Sequence, residues 1–230
     1  MQIVWYGQSF FQILTQKGKE KVVKIVIDPF DEKIGLKPPS LEADILLITH
    51  SHEDHNNVKV IKGSPSQISG KFERASPFLI SGPGEYEIKE VFIEGIPAFH
   101  DPVEGRERGK TTIYTVEIEE VKICHLGDLG QKELTDEQLE QIGDVDILMI
   151  PVGGIFTIGA KEAAKVISQI EPKIVIPMHY QLPKLKVKLE NLDKFLKTMG
   201  IKSPETLNKL SIQEKNLPTD GMKIVVLTLQ

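Results

Sequence analysis

Short runs of apolar residues, bounded by glycine, proline or charged residues, follow one another through the first part of the chain. Runs of this length that are rich in valine, isoleucine and phenylalanine predict β-strands. Because successive strands at hairpin spacing tend to pair with their neighbours, their order favours large sheets with antiparallel character over a strictly alternating doubly wound sheet. The predicted strands lie at residues 3–6, 10–14, 22–27, 45–49, 78–80, 91–99, 112–118 and 121–125.

The helical pattern begins later in the chain. Apolar positions at helical spacing predict helices over 133–141, 160–170 and 189–199, and Thr135 and Asp136 are candidate caps for the first. The same part of the chain contains further predicted strands at 147–150, 174–177 and 223–229. We therefore expect one layered α/β domain over residues 1–230, in which strand ends from both halves surround a shared edge.

The composition limits the classes of partner. The net charge is −5 at pH 7, so the chain lacks the basic surplus typical of proteins that bind nucleic acid. The single cysteine, Cys124, excludes an internal disulfide and lies in an apolar run, which predicts a buried, inert thiol in a reducing compartment. The N-terminal residues resemble a first strand rather than a secretory signal, and no apolar run approaches the ~18 residues of a membrane span. We expect a cytoplasmic protein with no membrane partner.

The strongest chemical signal follows the predicted strand at 45–49 and is the motif His50-Ser51-His52-Glu53-Asp54-His55. It holds three of the six histidines in the chain. In extended chain His50 and His52 face the same side, and a turn into a helix at Asp54 and His55 brings two more ligands towards a neighbouring point. Imidazole and carboxylate groups bind zinc and similar divalent metals, and this geometry favours two metal ions over one. The alternative is that these histidines cap a strand and lie in solvent.

The other three histidines, His100, His125 and His179, each come at the end of an apolar, strand-like run. Ends of strands are where functional sites form in α/β proteins. These positions are therefore candidates for the same site as the motif.

The pattern resembles the metallo-β-lactamase superfamily, whose signature is H-x-H-x-D-H followed by a distant histidine, an aspartate and a final histidine. The similarity covers most of the chain. The resemblance implies an αββα sandwich, in which two β-sheets lie face to face with helices outside and the site lies at one edge. Four segments look most like the branch similar to ascorbate-6-phosphate lactonase: Ile27-Asp28-Pro29-Phe30, His125-Leu126-Gly127-Asp128, Pro151-Val152-Gly153-Gly154 and Pro177-Met178-His179-Tyr180.

Carried over position by position, the resemblance implies two groups of ligands and one shared ligand. The first metal ion would be bound by His50, His52 and His100. The second would be bound by Asp54, His55 and His179. Asp128 would bridge the two ions.

Two further residues are interpreted as supports for the ligands. Asp28 matches an aspartate that orients a ligand by hydrogen bonding, although an aspartate before a proline is also a common turn former. His125 competes with His100 for the place of the third histidine, and the order of residues along the chain favours His100 as the ligand. His125 is then a supporting or structural residue.

Candidate contacts to the substrate are Gln8, Thr157 and Tyr180. Backbone N–H groups of the loop at 154–159, which leads into a predicted helix, could receive an anionic part of a substrate, but an ordinary glycine loop fits the sequence equally well. Related sequences often carry Gly-His-Ser where this chain has Gly7-Gln8-Ser9. Glutamine can hydrogen-bond, but it cannot exchange a proton near neutral pH.

We therefore expect a hydrolase that holds two divalent metal ions, with zinc favoured and manganese or iron as alternatives. Hydroxide bound by the two ions would cleave an ester, lactone or phosphodiester bond in a small substrate, anionic substrates included, and Asp54 would orient the hydroxide or accept its proton. The sequence does not determine the oligomeric state, and an oligomer is possible.

Three rival functions are considered: a nuclease or RNA-processing hydrolase, a di-iron redox protein and a non-catalytic binding module stabilised by metal. The acidic net charge disfavours the first. His52 disfavours the second, because the di-iron proteins on this scaffold carry glutamate there. A ligand set without cysteine disfavours the third, since structural zinc sites are usually rich in cysteine.

Overall fold

The computed structural model describes residues 1–17, 21–68, 71–74 and 76–230. Within these ranges the α-helices are α1 (Asp136–Ile142), α2 (Ala160–Ile170) and α3 (Leu192–Thr198). Short 3₁₀ helices lie at Glu32–Ile34, Val58–Val60 and Glu214–Asn216. The strands are β1 (Gln2–Trp5), β2 (Phe11–Lys17), β3 (Lys21–Ile27), β4 (Leu41–Ala43), β5 (Ile45–Leu47), β6 (Ile61–Gly63), β7 (Pro65–Ile68), β8 (Lys71–Arg74), β9 (Phe78–Ile80), β10 (Gly84–Ile88), β11 (Val91–Phe99), β12 (Lys110–Ile118), β13 (Val121–His125), β14 (Ile147–Pro151), β15 (Ile174–Met178), β16 (Glu205–Leu207), β17 (Leu210–Ser211) and β18 (Lys223–Leu227).

Most of the strands belong to two large sheets. A six-stranded sheet has the order β17-β1-β2-β3-β5-β9, and an eight-stranded sheet has the order β10-β11-β12-β13-β14-β15-β18-β16. Antiparallel pairing runs from β1 to β3 and from β10 to β13. Pairing is parallel from β3 through β5 to β9 and from β13 onwards. The predicted antiparallel character therefore holds for the hairpins and ends where longer crossovers connect the strands.

The two sheets contribute to one apolar core. Ile13 from the first sheet and Ile123 from the second belong to a single cluster of buried residues. Tyr114 links the sheets, because its hydroxyl donates a hydrogen bond to the carbonyl of Ile48 at 3.0 Å. Every residue of β14 and β15 is buried, as expected for central parallel strands. The architecture confirms the predicted sandwich, and the described α-helices all connect strands of the eight-stranded sheet.

Several elements differ from the sequence prediction. Helix α1 begins at Asp136 because Thr135 caps it and forms a capping box with Gln138. The turn predicted at Asp54 is present, closed by a hydrogen bond from the His55 N–H to the His52 carbonyl at 3.0 Å. The helix predicted to begin there was wrong, because none of the described α-helices begins at this turn. Seven of the described strands, each of two to five residues, were not predicted, because such short segments seldom show a periodic pattern: β4, β6, β7, β8, β10, β16 and β17.

The topology places several strand ends at the same edge of each sheet. Strands β3 and β5 are parallel, so Asp28 and His50 follow neighbouring ends. Strand β11 is antiparallel to β12, which is antiparallel to β13, so His100 and Asp128 also follow ends at one edge of their sheet. The carboxyl ends of parallel strands are the usual place for a site. None of the described helices is both long and apolar enough to cross a membrane.

Candidate metal centre

The motif at the end of β5 folds into a compact turn that brings its imidazole rings close together. The ring centres of His50 and His52 lie 4.6 Å apart, and those of His50 and His55 lie 4.3 Å apart. His100, which follows β11, brings its ring to 4.8 Å from His50. His55 and His100 are buried, whereas His52 is exposed. The turn therefore carries one buried predicted ligand, His55, and one exposed predicted ligand, His52.

All seven predicted ligands lie together in the structure. They form two groups, and within each group one ligand atom of every residue lies within 4.8 Å of the others. The groups are His50, His52 and His100, and Asp54, His55, Asp128 and His179.

Asp128 faces both groups through the same oxygen. Its Oδ2 lies 3.2 Å from Nε2 of His55, 3.2 Å from Nε2 of His179 and 3.6 Å from Nε2 of His100. His100 belongs to one group and the other two histidines to the second, so this position is consistent with a shared ligand.

The residues present fit a metal centre because their ring nitrogens lack other partners. Nε2 of His50, Nε2 of His55 and both nitrogens of His179 are buried and make no well-oriented hydrogen bond with any described residue, although Oδ2 of Asp128 lies 3.2 Å from Nε2 of His55 and of His179. Leaving one polar atom buried and unpaired costs about 1–3 kcal/mol. Cations held between these nitrogens and the carboxylates would use their lone pairs.

The electrostatics favour neutral imidazoles beside ionised carboxylates. Burial lowers the pKa of His50 to about 2 and also lowers the pKa of His100. Burial alone would raise the pKa of Asp54 and of Asp128, but the neighbouring histidines outweigh it and hold both pKa values low. His55 behaves differently: against the effect of burial, the carboxylates of Asp128, Asp54 and Asp28 raise its pKa. This excess of negative potential would attract a cation, which displaces protons from its ligands.

Asp28 anchors the histidine motif through hydrogen bonds to Thr49 and His55. It is fully buried and accepts hydrogen bonds from the N–H of Thr49 at 2.8 Å and from the hydroxyl of Thr49 at 2.6 Å. Its Oδ2 also lies 2.9 Å from Nδ1 of His55. With the Nδ1 proton donated to Asp28, Nε2 of His55 is free to face the cluster. The φ of Asp28 is 49°, an unusual conformation for a residue other than glycine.

His125 is placed as a support rather than in either group of ligands. Its Nδ1 accepts a hydrogen bond from the N–H of Gly127 at 3.1 Å, so Nε2 carries the proton and donates to the carbonyl of Ser9 at 3.0 Å. Both ring nitrogens are therefore occupied. His125 ties the Gly7-Gln8-Ser9 turn to the segment that carries Asp128.

Two hydroxyl groups in the site were missed by the sequence analysis. Ser9 donates a hydrogen bond to Oδ1 of Asp128 at 3.2 Å. The hydroxyl oxygen of Thr49 lies 3.0 Å from Nδ1 of His50, and because this hydroxyl donates to Asp28 it can accept the imidazole proton. Serine and threonine are common residues, so their presence alone does not indicate a role in a site. The available signal in the sequence was that Ser9 and Thr49 are each adjacent to a predicted site residue.

Two glycines allow the backbone to approach the ligands. A Cβ atom at Gly130 would lie 2.2 Å from the carbonyl carbon of His100, and one at Gly153 would lie 2.1 Å from the carbonyl oxygen of His179. Neither position has room for a side chain. The glycines thus fix the distances between the segments that carry the ligands.

The three predicted substrate contacts lie in different environments. Gln8 is fully buried, and neither atom of its amide has a partner among the described residues. Tyr180 is buried with its ring centre 5.2 Å from that of Trp5. Thr157 is partly exposed and lines an open cleft. The positions therefore favour contact with a substrate for Thr157 more than for the other two.

Comparisons with known proteins place this arrangement in a family. Residues 2–179 match the family described as the beta-lactamase superfamily domain. Proteins named metal-dependent hydrolases from Thermococcus onnurineus and Thermococcus kodakarensis are 33% and 35% identical over 195 and 198 residues, each match covering 78% of this chain and 84% of the relative. A solved structure from Thermotoga maritima, described as a candidate Zn-dependent hydrolase of the metallo-β-lactamase superfamily, is 36% identical with a TM-score of 0.75, covering 98% of this chain and 97% of the other.

The relatives do not single out the predicted branch similar to ascorbate-6-phosphate lactonase, and that assignment stays a prediction. The family match spans the motif, His100, Asp128 and His179, which are the segments that build the cluster. The chain belongs to the metallo-β-lactamase superfamily.

Proposed function

We propose that this chain is a metal-dependent hydrolase that cleaves an ester, lactone or phosphodiester bond in a small substrate. The observation that carries the proposal is the convergence of five histidines and two aspartates from four separate segments on one place, with buried ring nitrogens that lack other partners. The hydrolase names of the relatives support it.

The two groups of ligands suit two divalent cations. His50, His52 and His100 would hold one, Asp54, His55 and His179 the other, and Asp128 would be shared. Structural zinc sites are usually closed and rich in cysteine, whereas this set contains no cysteine, which favours a catalytic site. Zinc fits these imidazole and carboxylate ligands, and manganese and iron are the alternatives. When bound, such ions lower the pKa of water towards ~7 and polarise an oxygen of the substrate.

Asp54 is the carboxylate best placed to handle a proton. Its side chain is 24% exposed, against 3% for Asp128. His55 holds the pKa of Asp54 low despite burial, so Asp54 is ionised and can orient a water molecule. Its role as the proton acceptor rests on its exposure, because a low pKa by itself makes a carboxylate a weak base. Two candidate nucleophiles of the chain are poorly suited to attack a substrate. The hydroxyl of Ser9 is hydrogen-bonded to Asp128, and burial raises the pKa of the Cys124 thiol to about 12.

The proposal also covers the size of the substrate and the location of the protein. The acidic net charge supports a small-molecule substrate over nucleic acid. A single, fully buried cysteine supports a cytoplasmic location.

The test compares metal content and turnover in the parent, Asp54→Asn and the control Asp220→Asn. Asp220 is exposed and lies far from the motif in sequence. Substrates would be p-nitrophenyl acetate, δ-valerolactone, bis(p-nitrophenyl) phosphate and nitrocefin. We expect two metal ions per chain, turnover of at least one substrate, a loss of about 100-fold or more in Asp54→Asn and parental activity in Asp220→Asn. Metal-loaded protein that turns over none of the four, or equal rates in the parent and Asp54→Asn, would contradict the proposal.

A further inference from the structure

A cleft of about 470 Å³ lies between the loop at residues 101–109 and the loop at residues 154–159. Its wall includes Pro102, two positions after His100, and Gly130, two positions after Asp128. It also includes Gly154, whose neighbour Gly153 packs against the carbonyl of His179. Three segments that build the metal centre thus continue into the wall of the cleft, although none of the seven predicted ligands lines it.

The charged side chains that line this cleft include one more cation than carboxylates, although the whole chain is acidic. Its side chains include four cations, Arg108, Lys132, Lys161 and Lys194, and three carboxylates, Glu107, Glu162 and Glu190. Lys194 is paired with Glu190. Arg108 and Glu107 are 3.6 Å apart at the surface, where such pairs contribute little. Lys132 and Lys161 form no ion pair with any described residue. The cations available to a ligand therefore outnumber the available carboxylates.

Apolar side chains stand next to these cations. Ile155 is 58% exposed and Phe156 is 40% exposed. The φ of Ile155 is 62°, a strained conformation for a β-branched residue, and such strain is often found in loops that bind ligands. The guanidinium of Arg108 lies 5.6 Å from the centre of the Phe156 ring. This cation–π contact positions the guanidinium while its N–H groups stay able to bind an anion.

The loop that carries Arg108 is held by a buried carboxylate. Asp101 is 1% exposed and follows His100 directly. Its two oxygens accept hydrogen bonds from four backbone N–H groups, those of Val103, Gly105, Glu107 and Arg108, at 2.8–3.0 Å. Arg108 is therefore presented by an ordered loop that is anchored next to a predicted metal ligand.

We propose that the cleft binds the non-reacting part of the substrate and that this part carries a carboxylate or phosphate joined to an apolar or aromatic group. Arg108 is the residue that determines the preference for the anion, and Phe156 and Ile155 contact the apolar group. The position of the reacting bond rests on the hydrolase function proposed above, whereas binding in the cleft does not.

The binding test uses 4-acetamidobenzoate, which has a carboxylate and an aromatic ring, and its uncharged methyl ester. Calorimetric titration of the purified, metal-containing protein is expected to show binding of the acid about 10-fold tighter than of the ester. Chromatography after the titration confirms that the methyl ester has not been hydrolysed to the acid. Arg108→Gln removes this preference by weakening the acid alone, and Phe156→Ala weakens both ligands. Arg106→Gln is the matched control, because Arg106 is in the same loop but is exposed, paired with Glu104 and outside the cleft.

A turnover test with the corresponding esters separates the two proposals. Methyl 4-acetoxybenzoate and 4-acetoxybenzoate carry the same acetyl ester and differ at the far end, where the first has a methyl ester and the second a carboxylate, so the reaction measured is the release of acetate. A KM lower by about 10-fold for the charged substrate, abolished in Arg108→Gln, supports the cleft as the binding site. Binding of 4-acetamidobenzoate without turnover of any substrate overturns the proposed hydrolase function but supports the proposed binding in the cleft.

Three results overturn the cleft proposal. The first is equal affinity for 4-acetamidobenzoate and its methyl ester, or no binding of the acid. The second is the same loss of affinity in Arg108→Gln and Arg106→Gln. The third is binding that survives Arg108→Gln but disappears when a chelator removes the metal, because the carboxylate would then bind the metal directly.

Discussion

The hydroxyl of Ser9 donates a hydrogen bond to Oδ1 of Asp128 at 3.2 Å, across 119 positions of sequence. The other carboxylate oxygen, Oδ2, faces His55, His100 and His179. The hydrogen bond therefore orients a carboxylate whose other oxygen lies near members of both groups of predicted ligands. Ser9 is in turn held by His125 through its carbonyl.

Ser9→Ala is expected to weaken metal binding without unfolding the protein. Loss of a group that orients a ligand typically lowers metal affinity by about 10–100-fold. Competition with a chromogenic chelator measures this change. Ser168→Ala, at an exposed position of α2, is the control and should keep the parental affinity. Parental affinity in Ser9→Ala as well would show that the hydrogen bond to Asp128 does not position the carboxylate.

Asp28→Asn is expected to affect both the metal centre and the fold. Asp28 accepts hydrogen bonds through both of its carboxylate oxygens, whereas an asparagine side chain has only one accepting oxygen. At least one buried donor of Thr49 or His55 therefore loses its partner. The expected cost is about 1–3 kcal/mol in the free energy of unfolding of the metal-free protein. A loss of metal affinity of about 10–100-fold should accompany it. Urea unfolding after chelation and metal titration measure the two effects, and a variant that matches Asp220→Asn in both would disprove the supporting role of Asp28.

Asp101 is expected to stabilise the fold in a manner that depends on pH. Burial would raise its pKa, but the backbone N–H groups of Arg108, Val103, Gly105 and Glu107 lower it to about 2. A folded-state pKa below the unfolded value of ~3.9 means that the stabilisation is complete above about pH 5 and is lost as the pH falls towards 2. The difference in unfolding midpoint between the parent and Asp101→Asn should therefore be constant near neutral pH and shrink below about pH 4. A difference that does not change over this range would contradict the assignment.

Gly130→Ala is expected to disturb the metal centre through the backbone of His100. The added methyl group would lie 2.2 Å from the carbonyl carbon of His100, and a backbone atom can yield only if the segment shifts. Overpacking of this kind costs about 1–3 kcal/mol. Thermal unfolding and metal content measure the effect. Gly82→Ala is the control, because nothing lies within 4 Å of a Cβ at Gly82. Equal stability and metal content in the two variants would show that His100 does not depend on this close approach.

Sequence patterns predicted the main strands and helices because apolar side chains repeat with the period of the element that buries them. Strand β11 and helix α2 have the predicted bounds, since each has a long amphipathic or apolar pattern. The ligands could be proposed from sequence because they follow buried strands and have the residue types that divalent metals bind. The turn at Asp54 was taken for the start of a helix because a few polar residues carry no periodic signal.

Tertiary structure alone decided which distant groups meet. Ser9 reaches Asp128, and Arg108 reaches Phe156, through folding of both sheets and their loops, and neither pair leaves a local pattern in the sequence. The strained backbone of Ile155 and the close contact at Gly130 depend likewise on neighbouring segments. The sequence by itself determined the types of element and the chemistry of the ligands, because burial periodicity and metal preference are properties of short segments. The cleft and the hydrogen bonds that orient the ligands required the folded chain, because they depend on distances between segments far apart in sequence.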